Sequence, residues 1–388
     1  MKICLVQQHP IEPGKTPAAI LRYLKLAEHF STSDQVILIL PAPGMKMGQG
    51  EFNGLPCYHV PTPGTGWKWL DMLFFAVLLL PVLWQVSRRE SPDVWFVDEL
   101  FVGLALPWLR FFDRSPVNYD VMGIHYYQVR KHNSNLLRHW LLGGTYALLE
   151  RLTIMGSTFL TTVNEAHREA LRRWTRKPVY VIRDAAEFLP PTESDEEVSL
   201  PSRQSGEVWL TFIGKLSNRR LDDLFEILPG VVEECRELRV LIVGDGPFRE
   251  RYHSRARQPQ LTRIVHFHDF VPHSRLPEFA PLTDIAYSDD WSDIGFPMKV
   301  FEYMHLGLAM LVEDTDAVRE VLRQEENALL YSGQKALRAG LIRLVKDSEL
   351  RRQLGEQAAL EASQHSWEKR KEQFMELYNR YACGERNV

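Results

Sequence analysis

The sequence predicts an α/β fold built from two Rossmann-like domains. Short β-branched or apolar runs alternate with longer amphipathic segments along most of the chain, which is typical of parallel sheets covered by helices. A stretch at 188–206, rich in Pro, Ser and acidic residues, follows neither period and separates two such regions. The length of 388 residues agrees with two or three domains.

The strand candidates fall into two series. In chain order they are ICLVQQ, QVILILPA, CYHV, DVWFVDE, VNYDVM, FLTTVN and VYVIRDA, then VWLTFIGK, RVLIVGD, IVHFHDF, DIAYSDD and MLVED. Amphipathic segments at 221–235 and 297–306 lie between strands of the second series. After residue 365 the tail is polar, and its large apolar residues Trp367, Phe374, Leu377 and Tyr378 fall near one helical face.

These patterns give the domain boundaries. We predict an N-terminal domain at 1–187, a linker at 188–206 and a C-terminal domain at 207–364. The segment 365–388 is expected to form a helix that packs back toward the N-terminal domain.

Charge and cysteine content exclude some classes of protein. The net charge is −4, divided into +4 for residues 1–190 (20 basic against 16 acidic side chains) and −8 for the remainder. A nucleic-acid-binding protein would be far more basic, so no nucleic-acid partner is expected. The four cysteines lie far apart and suggest neither a zinc site nor a disulfide framework. A reducing cytoplasm fits this pattern, and no metal is predicted.

One apolar tract, WKWLDMLFFAVLLLPVLW at 67–84, raises the question of a membrane. Lys68, Asp71 and Pro81 interrupt it, and its uninterrupted part is shorter than the roughly 18–20 residues of a span. A buried or interfacial helix is therefore expected. No secretory leader is expected either, because a strand-like run begins at Met1.

A peripheral membrane contact is a further hypothesis for the first half of the chain. It depends on the +4 charge, the tract at 67–84 and a basic cluster. The cluster comprises Arg168, Arg172, Arg173, Arg176 and Lys177. The alternative, an ordinary core helix beside a solvated basic face, stays open.

Three features of the second half could bind a nucleotide. The turn Gly244-Asp245-Gly246-Pro247 joins a strand to a helix, where small residues let a ligand approach the backbone and amides can bind an anion. Lys215 and Arg220 lie on another strand-to-helix loop and suit a diphosphate. Glu302 could accept hydrogen bonds from ribose hydroxyls. Each feature also has a plain structural interpretation: a tight turn, a solvated loop or an exposed acid.

The order of these motifs is more specific than any one of them. Gly214-Lys215-Leu216 with Arg220 is followed by the Gly-Asp-Gly-Pro turn, by a strand at 265–271 and by Gly295-Phe296-Pro297-x-Lys299-x-x-Glu302-Tyr303-Met304 with Gly307. This series resembles the nucleotide-sugar-binding domain of the family 4 retaining glycosyltransferases, in the subset with Phe-Pro-x-Lys-Val-Phe-Glu-Tyr-Met. The resemblance implies the GT-B architecture, in which two Rossmann-like domains face a cleft.

The resemblance also implies roles for individual residues. Lys215 and Arg220 would neutralise the leaving diphosphate, and His125 or Asp120 would orient the sugar or the acceptor. The expected donor-binding residues are Gly14, Lys215, Arg220, Gly244, Gly246, Val271, Lys299 and Glu302.

One position departs from the family pattern. Family members carry two glutamates with seven residues between them, and counting back from Glu302 puts Ile294 at the first position. An isoleucine side chain can neither donate nor accept a hydrogen bond. Either the adjacent Asp293 takes over, as a catalytic residue, or the site has lost a group.

The resulting hypothesis is a hexosyltransferase-like enzyme. It would move a sugar from a nucleoside diphosphate of the UDP or GDP type to a hydroxyl acceptor, with retention and without a metal or other cofactor. The acceptor could be a glycan, a lipid-linked sugar or a small molecule, and the enzyme would lie in the cytoplasm, at the inner face of a membrane if the membrane hypothesis holds. Two alternatives stay open: a non-catalytic GT-B protein that binds a nucleotide sugar or a partner, and a sugar-nucleotide epimerase.

Overall fold

The structure, a computed structural model, describes residues 1–11, 18–44, 47–124, 136–188, 198–216, 221–289 and 296–384. Its contacts divide the chain into two units, Met1–Arg183 with Trp367–Val388 and Asp184–Ser366. Each unit contains one mainly parallel sheet with helices, so the predicted α/β class with two sheet domains is confirmed. The division falls after Arg183, a few residues before the stretch at 188–206.

The first unit has an eight-stranded sheet. Its strands are β1 (Lys2–Val6), β2 (Gln35–Pro43), β3 (Gly48–Phe52), β4 (Leu55–Thr62), β5 (Val94–Val97), β6 (Val117–Val121), β7 (Phe159–Thr162) and β8 (Val179–Val181). They lie in the order β3-β4-β2-β1-β5-β6-β7-β8, and only the edge strand β3 runs antiparallel to its neighbour. The sequence analysis missed β3 because its residues, GQGEF, are polar, glycine-rich and mostly exposed.

Among the described residues, five α-helices precede the second unit: α1 (Ala18–Ser31), α2 (Lys68–Glu90), α3 (Leu106–Phe112), α4 (Leu136–Gly156) and α5 (Glu165–Arg172). Crossovers between parallel strands are right-handed. Each of the helices α2, α3, α4 and α5 leads from one strand to a later strand that lies nearer the β8 edge of the sheet. These four helices therefore cover the same face of the sheet. Helix α1, which leads from β1 to β2 in the other direction, covers the opposite face.

The second unit has a six-stranded, wholly parallel sheet. Its strands are β9 (Val208–Ile213), β10 (Leu238–Val243), β11 (Val265–His268), β12 (Ile285–Ser288), β13 (Ala309–Glu313) and β14 (Leu329–Tyr331), in the order β11-β10-β9-β12-β13-β14. Its helices are α6 (Asp222–Glu234), α7 (Arg249–Ala256), α8 (Lys299–His305), α9 (Asp316–Arg319), α10 (Gly333–Lys346) and α11 (Ser348–Ala362). The central strands are buried on both faces, which explains why they read as continuous apolar runs.

The last helix, α12 (Trp367–Ala382), belongs to the first unit. Its Phe374 ring lies 5.9 Å from the ring of Phe30, and the Tyr381 ring stacks on Phe159 at 4.1 Å. The Tyr378 hydroxyl donates a hydrogen bond of 3.0 Å to Asn118 Oδ1 on β6. The apolar stripe that the sequence shows along this helix is the face that packs on the sheet.

Helix α2 is longer than the apolar tract from which it was expected. Among the described residues it is the one helix, over Leu70–Glu90, that is long and apolar enough to cross a membrane. The argument from length against a span was therefore wrong. Packing gives a better argument, because Leu79, Leu83 and Val86 on one side of α2 have no exposed surface and form part of the core.

Candidate functional site

Six of the predicted donor residues belong to the described part of the second unit, where they follow the carboxyl ends of its strands: Lys215, Gly244, Gly246, Val271, Lys299 and Glu302. The chain proceeds from β9 to β10 and β11 in one direction and from β12 to β13 and β14 in the other, so the strand order switches between β9 and β12. Open α/β sheets bind ligands outside the carboxyl ends of the strands at such a point. Gly214 and Lys215 directly follow β9, and Lys299 begins the helix that follows β12. Lys215 is exposed there.

The glycines of this edge hold two loops together. The Leu216 N–H donates a 2.9 Å hydrogen bond to the Asp245 carbonyl, which joins the loop after β9 to the loop after β10. A Cβ on Gly244 would collide with the Gly214 carbonyl oxygen, and one on Gly246 would collide with that of Leu216. Gly244 also has a φ of +138°. These glycines therefore let the two loops approach each other closely, and the expectation that they also open the backbone to a ligand stays a prediction.

Lys299 brings a cation to the switch point. Its Nζ lies 3.8 Å from the centroid of the Phe212 ring, in a cation–π arrangement, and is buried. A methyl group added to Gly214 would lie 3.1 Å from the same nitrogen, so the ammonium group lies beside the loop after β9. The positive charge is thus held close to the carboxyl end of a central strand, where an anionic ligand would bind.

Glu302 lies one turn further along α8 and is held by a histidine. Its Oε1 lies 2.9 Å from His273 Nε2, and the His273 ring stacks on Phe188 with centroids 5.5 Å apart. The carboxylate and the imidazole both keep part of their surface exposed. His273 could not be paired with Glu302 from the sequence, because the two lie 29 positions apart. Only the packing of the segment after β11 against α8 brings the two together.

Val271 has a buried side chain and lies after strand β11. Strand β11 ends at His268. Val271 therefore lies beyond the strand, although the strand expected from the sequence, 265–271, included it. Its side chain is buried against Trp209 and Phe279, which leaves the main chain as the part that could contact a base. Asp269, two residues before Val271, forms an ion pair with Arg249.

Four predicted site residues lie outside the described part of the chain: Gly14, His125, Arg220 and Asp293. Ile294, the departure from the family pattern, lies outside it as well. The roles assigned to these positions stay predictions.

Asp120 occupies a different environment from the one its predicted role requires. It lies on β6 with no exposed surface, 2.7 Å from Arg22 Nη2 and 3.6 Å from Arg370 Nη2. The Thr161 hydroxyl donates a further hydrogen bond of 2.6 Å to its carboxylate. Removing one partner from such a buried pair destabilises a fold, so this carboxylate is tied to the packing around β6. The geometry thus favours a structural role for Asp120 over contact with a sugar.

The first sheet has a polar cluster at its own switch point, between β1 and β5, which the sequence analysis missed. Gln8 Nε2 donates a 2.7 Å hydrogen bond to Glu99 Oε2, and His9 Nε2 lies 3.6 Å from the same oxygen. Burial raises the pKa of Glu99 well above its usual range, and the neighbouring Asp98 raises it further. Burial also raises the pKa of Asp98 to about 7, against the opposing effect of Arg22. Burial thus disfavours the charged form of both carboxyl groups.

No group of three or more potential metal ligands is found among the residues that the structure describes.

Comparison with known sequences gives a match in the second unit. Residues 196–361 match the family model described as glycosyl transferases group 1, which covers less than half of the chain. The chain is also 24% identical over 239 residues to the chitobiosyldiphosphodolichol beta-mannosyltransferase of Candida glabrata. That alignment covers 54% of this chain and 53% of the relative, so the chain spans about half the length of the curated relative it matches.

Solved structures match nearly the whole chain. The sucrose-phosphate synthase of Thermosynechococcus elongatus superposes with a TM-score of 0.75 at 14% identity, covering 98% of both chains. The Anabaena protein Alr3699/HepE in complex with UDP gives a TM-score of 0.71 at 15% identity, covering 98% of this chain and 100% of the other. The chain therefore has the GT-B fold of glycosyltransferases, and its residues 196–361 carry the sequence pattern of the glycosyl transferases of group 1.

Proposed function

We propose that this protein is a glycosyltransferase that moves a sugar from a nucleoside diphosphate to a hydroxyl acceptor. The observation that carries the proposal is the position of Lys299 and Glu302 at the switch point of the second sheet, within the family match at 196–361. A leaving diphosphate gains negative charge as the glycosidic bond breaks, and preorganised cations stabilise that charge. Lys215 and Lys299 would supply them, together with Arg220.

The donor is a nucleotide sugar of the UDP or GDP type. UDP is the ligand named for the Anabaena HepE structure, whose fold this chain shares. Glu302 would accept hydrogen bonds from the ribose hydroxyls, and His273 would fix the carboxylate in position. The main chain at Val271 would contact the base, and Gly14 would contribute a backbone amide to the phosphates.

The reaction is proposed to retain the anomeric configuration, as the resemblance to family 4 implies. In front-face attack the bond between the anomeric carbon and the diphosphate oxygen breaks as the acceptor oxygen bonds to the same carbon. The acceptor proton passes to the departing diphosphate, so no pair of carboxylates is needed. Asp293 would hold the donor sugar in place of the absent glutamate.

The acceptor is proposed to bind at the carboxyl edge of the first sheet. His9 and Glu99 lie at its switch point, and His9 is partly exposed. His125 would help to orient the sugar. The Candida glabrata relative is named a chitobiosyldiphosphodolichol beta-mannosyltransferase. Because this name contains a sugar linked to the lipid dolichol, it favours a lipid-linked sugar among the acceptor classes. A cytoplasmic location completes the proposal.

Nucleotide binding is the first test of this function. We expect UDP or GDP to raise the midpoint of thermal unfolding, since ligand at about 100 times its Kd adds roughly 2.7 kcal/mol. Replacing Lys215 by Ala removes a charge-assisted contact and should weaken binding about tenfold. Lys335→Ala, which removes an exposed lysine on α10, is the matched control. Equal affinity in both variants would put the diphosphate elsewhere.

A transfer assay separates the proposed enzyme from its alternatives. A transferase needs donor and acceptor together, an epimerase converts the donor alone, and a non-catalytic protein binds the donor without turnover. The proton coupling constant of the new anomeric centre, measured by nuclear magnetic resonance, reports its configuration. An inverted product would contradict retention and leave the transferase assignment intact.

A further inference from the structure

The first unit has a large apolar surface that its core does not use. Among the described residues, nine of the thirteen exposed large hydrophobic side chains belong to α2, α3 and α4. Those that are more than half exposed are Val77, Trp84, Trp108, Phe111, Leu148 and Met155. Phe111 alone has 82% of its surface in contact with solvent. Apolar patches of this kind mark interaction surfaces in soluble proteins.

These side chains lie on neighbouring helices. Helix α3 packs against both α2 and α4, and all three helices cover the same face of the sheet. A Cβ on Gly156, at the end of α4, would collide with Leu106 at the start of α3, so the two helices touch there. On α3 itself, the rings of Trp108 and Phe111 lie 5.8 Å apart. The exposed side chains thus form one surface, which we name the α2–α4 face.

Basic residues border this surface. Arg151 stands on α4 between the exposed Leu148 and Met155. Lys177 Nζ donates hydrogen bonds to the carbonyls of Ile154 and Met155, at 2.7 and 2.8 Å. The segment leading to Lys177 is therefore anchored at the end of α4.

That segment carries the rest of the basic cluster noted in the sequence. Arg172, Arg173 and Arg176 are exposed along it. The Arg151 guanidinium lies 5.8 Å from the centre of the Trp174 ring, which ties the segment to α4 a second time. Positive charge is thus concentrated at one border of the apolar face.

We propose that the α2–α4 face lies on the surface of an anionic lipid bilayer. Tryptophan and phenylalanine side chains favour the boundary between headgroups and acyl chains, and basic residues beside them attract anionic headgroups. The helices lie along the membrane and do not cross it, because the opposite side of α2 is fixed in the core by Leu79 and Leu83. This proposal concerns lipid binding and does not depend on the proposed transfer reaction.

Co-sedimentation of the full chain with vesicles tests the proposal. We expect binding to vesicles of phosphatidylcholine mixed with phosphatidylglycerol, and much weaker binding to phosphatidylcholine alone. Phe111→Ser should lower the partition coefficient at least about fivefold, because it removes a ring that would enter the interface. Since Phe111 is almost fully exposed, this substitution should leave the fold intact, which circular dichroism checks. The matched control is Phe270→Ser, at an exposed ring of the second unit.

The contribution of the basic residues to lipid binding has its own test. The double variant Arg172→Gln with Arg173→Gln should lower the partition coefficient about fivefold for each charge removed. Arg263→Gln, at an exposed arginine of the second unit, should leave it unchanged.

Three outcomes would overturn the proposal. The first is no binding to the anionic vesicles at low salt. The second is an equal loss of binding in the Phe270→Ser control. The third is self-association, measured by sedimentation velocity, that Phe111→Ser abolishes while lipid binding persists; the face would then join two copies of the chain.

Discussion

The carboxyl edges of the two sheets are built in opposite ways. In the first unit the edge has acidic side chains that are buried, and Arg22 and Arg370 reach the nearby Asp120 from distant parts of the chain. In the second unit the edge is made of glycine turns, joined backbone to backbone, with Lys299 beside them. Charge is enclosed by ion pairs in the first edge, whereas in the second edge the Lys299 ammonium group lies beside the loop that follows β9. The first arrangement is suited to holding the sheet together, and the second is the one proposed above to bind a diphosphate.

The largest expected effect follows from the enclosed charge. Replacing Asp120 by Ala removes one carboxylate that pairs with the buried Arg22, and breaking a buried ion pair from one side costs about 3–5 kcal/mol. Urea unfolding followed by circular dichroism measures the loss. Asp316→Ala, which removes a highly exposed partner of Arg319, is the control and should change the midpoint little. Equal losses of unfolding free energy in Asp120→Ala and Asp316→Ala would show that the buried ion pair adds nothing special to the stability of the first edge.

A smaller effect is expected at the joined loops of the second unit. Gly244→Ala places a methyl group against the Gly214 carbonyl, and such overpacking costs about 1–3 kcal/mol. Gly206→Ala is the matched control, because Gly206 also has a positive φ but no atom near the position of a Cβ. Unfolding midpoints compare the two variants. A Gly244→Ala variant as stable as Gly206→Ala would show that the loops do not depend on this contact.

The smallest expected effects are on substrate binding, and they test which substrate each edge binds. His273→Gln loosens Glu302 and should weaken nucleoside diphosphate binding several-fold, by about 1 kcal/mol for one hydrogen bond. His9→Gln should raise the KM for the acceptor by a similar factor and leave donor affinity unchanged. Titration calorimetry with the nucleotide and steady-state kinetics with the acceptor measure the two effects. If His9→Gln weakens nucleotide binding instead, the assignment of the edges is reversed.

These differences explain which parts of the molecule could be predicted from the sequence. The alternation of strands and helices depends on local patterns, and it gave the two sheets, most strands and the apolar stripe of α12. The donor motifs were found because each is contiguous in the chain. The length of α2 was underestimated because an apolar helix tolerates Lys68, Asp71 and Pro81.

Strand order was the information that the sequence lacked. Gln8 and Glu99 come together because β1 and β5 are neighbours, and His273 meets Glu302 because the segment after β11 packs against α8. For the same reason the glycines of the second edge were assigned to a ligand, although their closest neighbour is the backbone of another loop. Asp120 was predicted to be a site residue from the family resemblance. Its burial and its ion pair with Arg22 are visible only in the folded structure.

The position of α12 has a consequence for the order in which the chain is made. Residues of the first unit lie on both sides of the second unit in the sequence. A ribosome therefore completes the second domain before it releases the helix that covers Phe30 and Asn118. Because domains form largely as units during synthesis, the first domain must wait with an open core while its neighbour folds. The core of the first domain is thus completed only after the residues of the second domain have been translated.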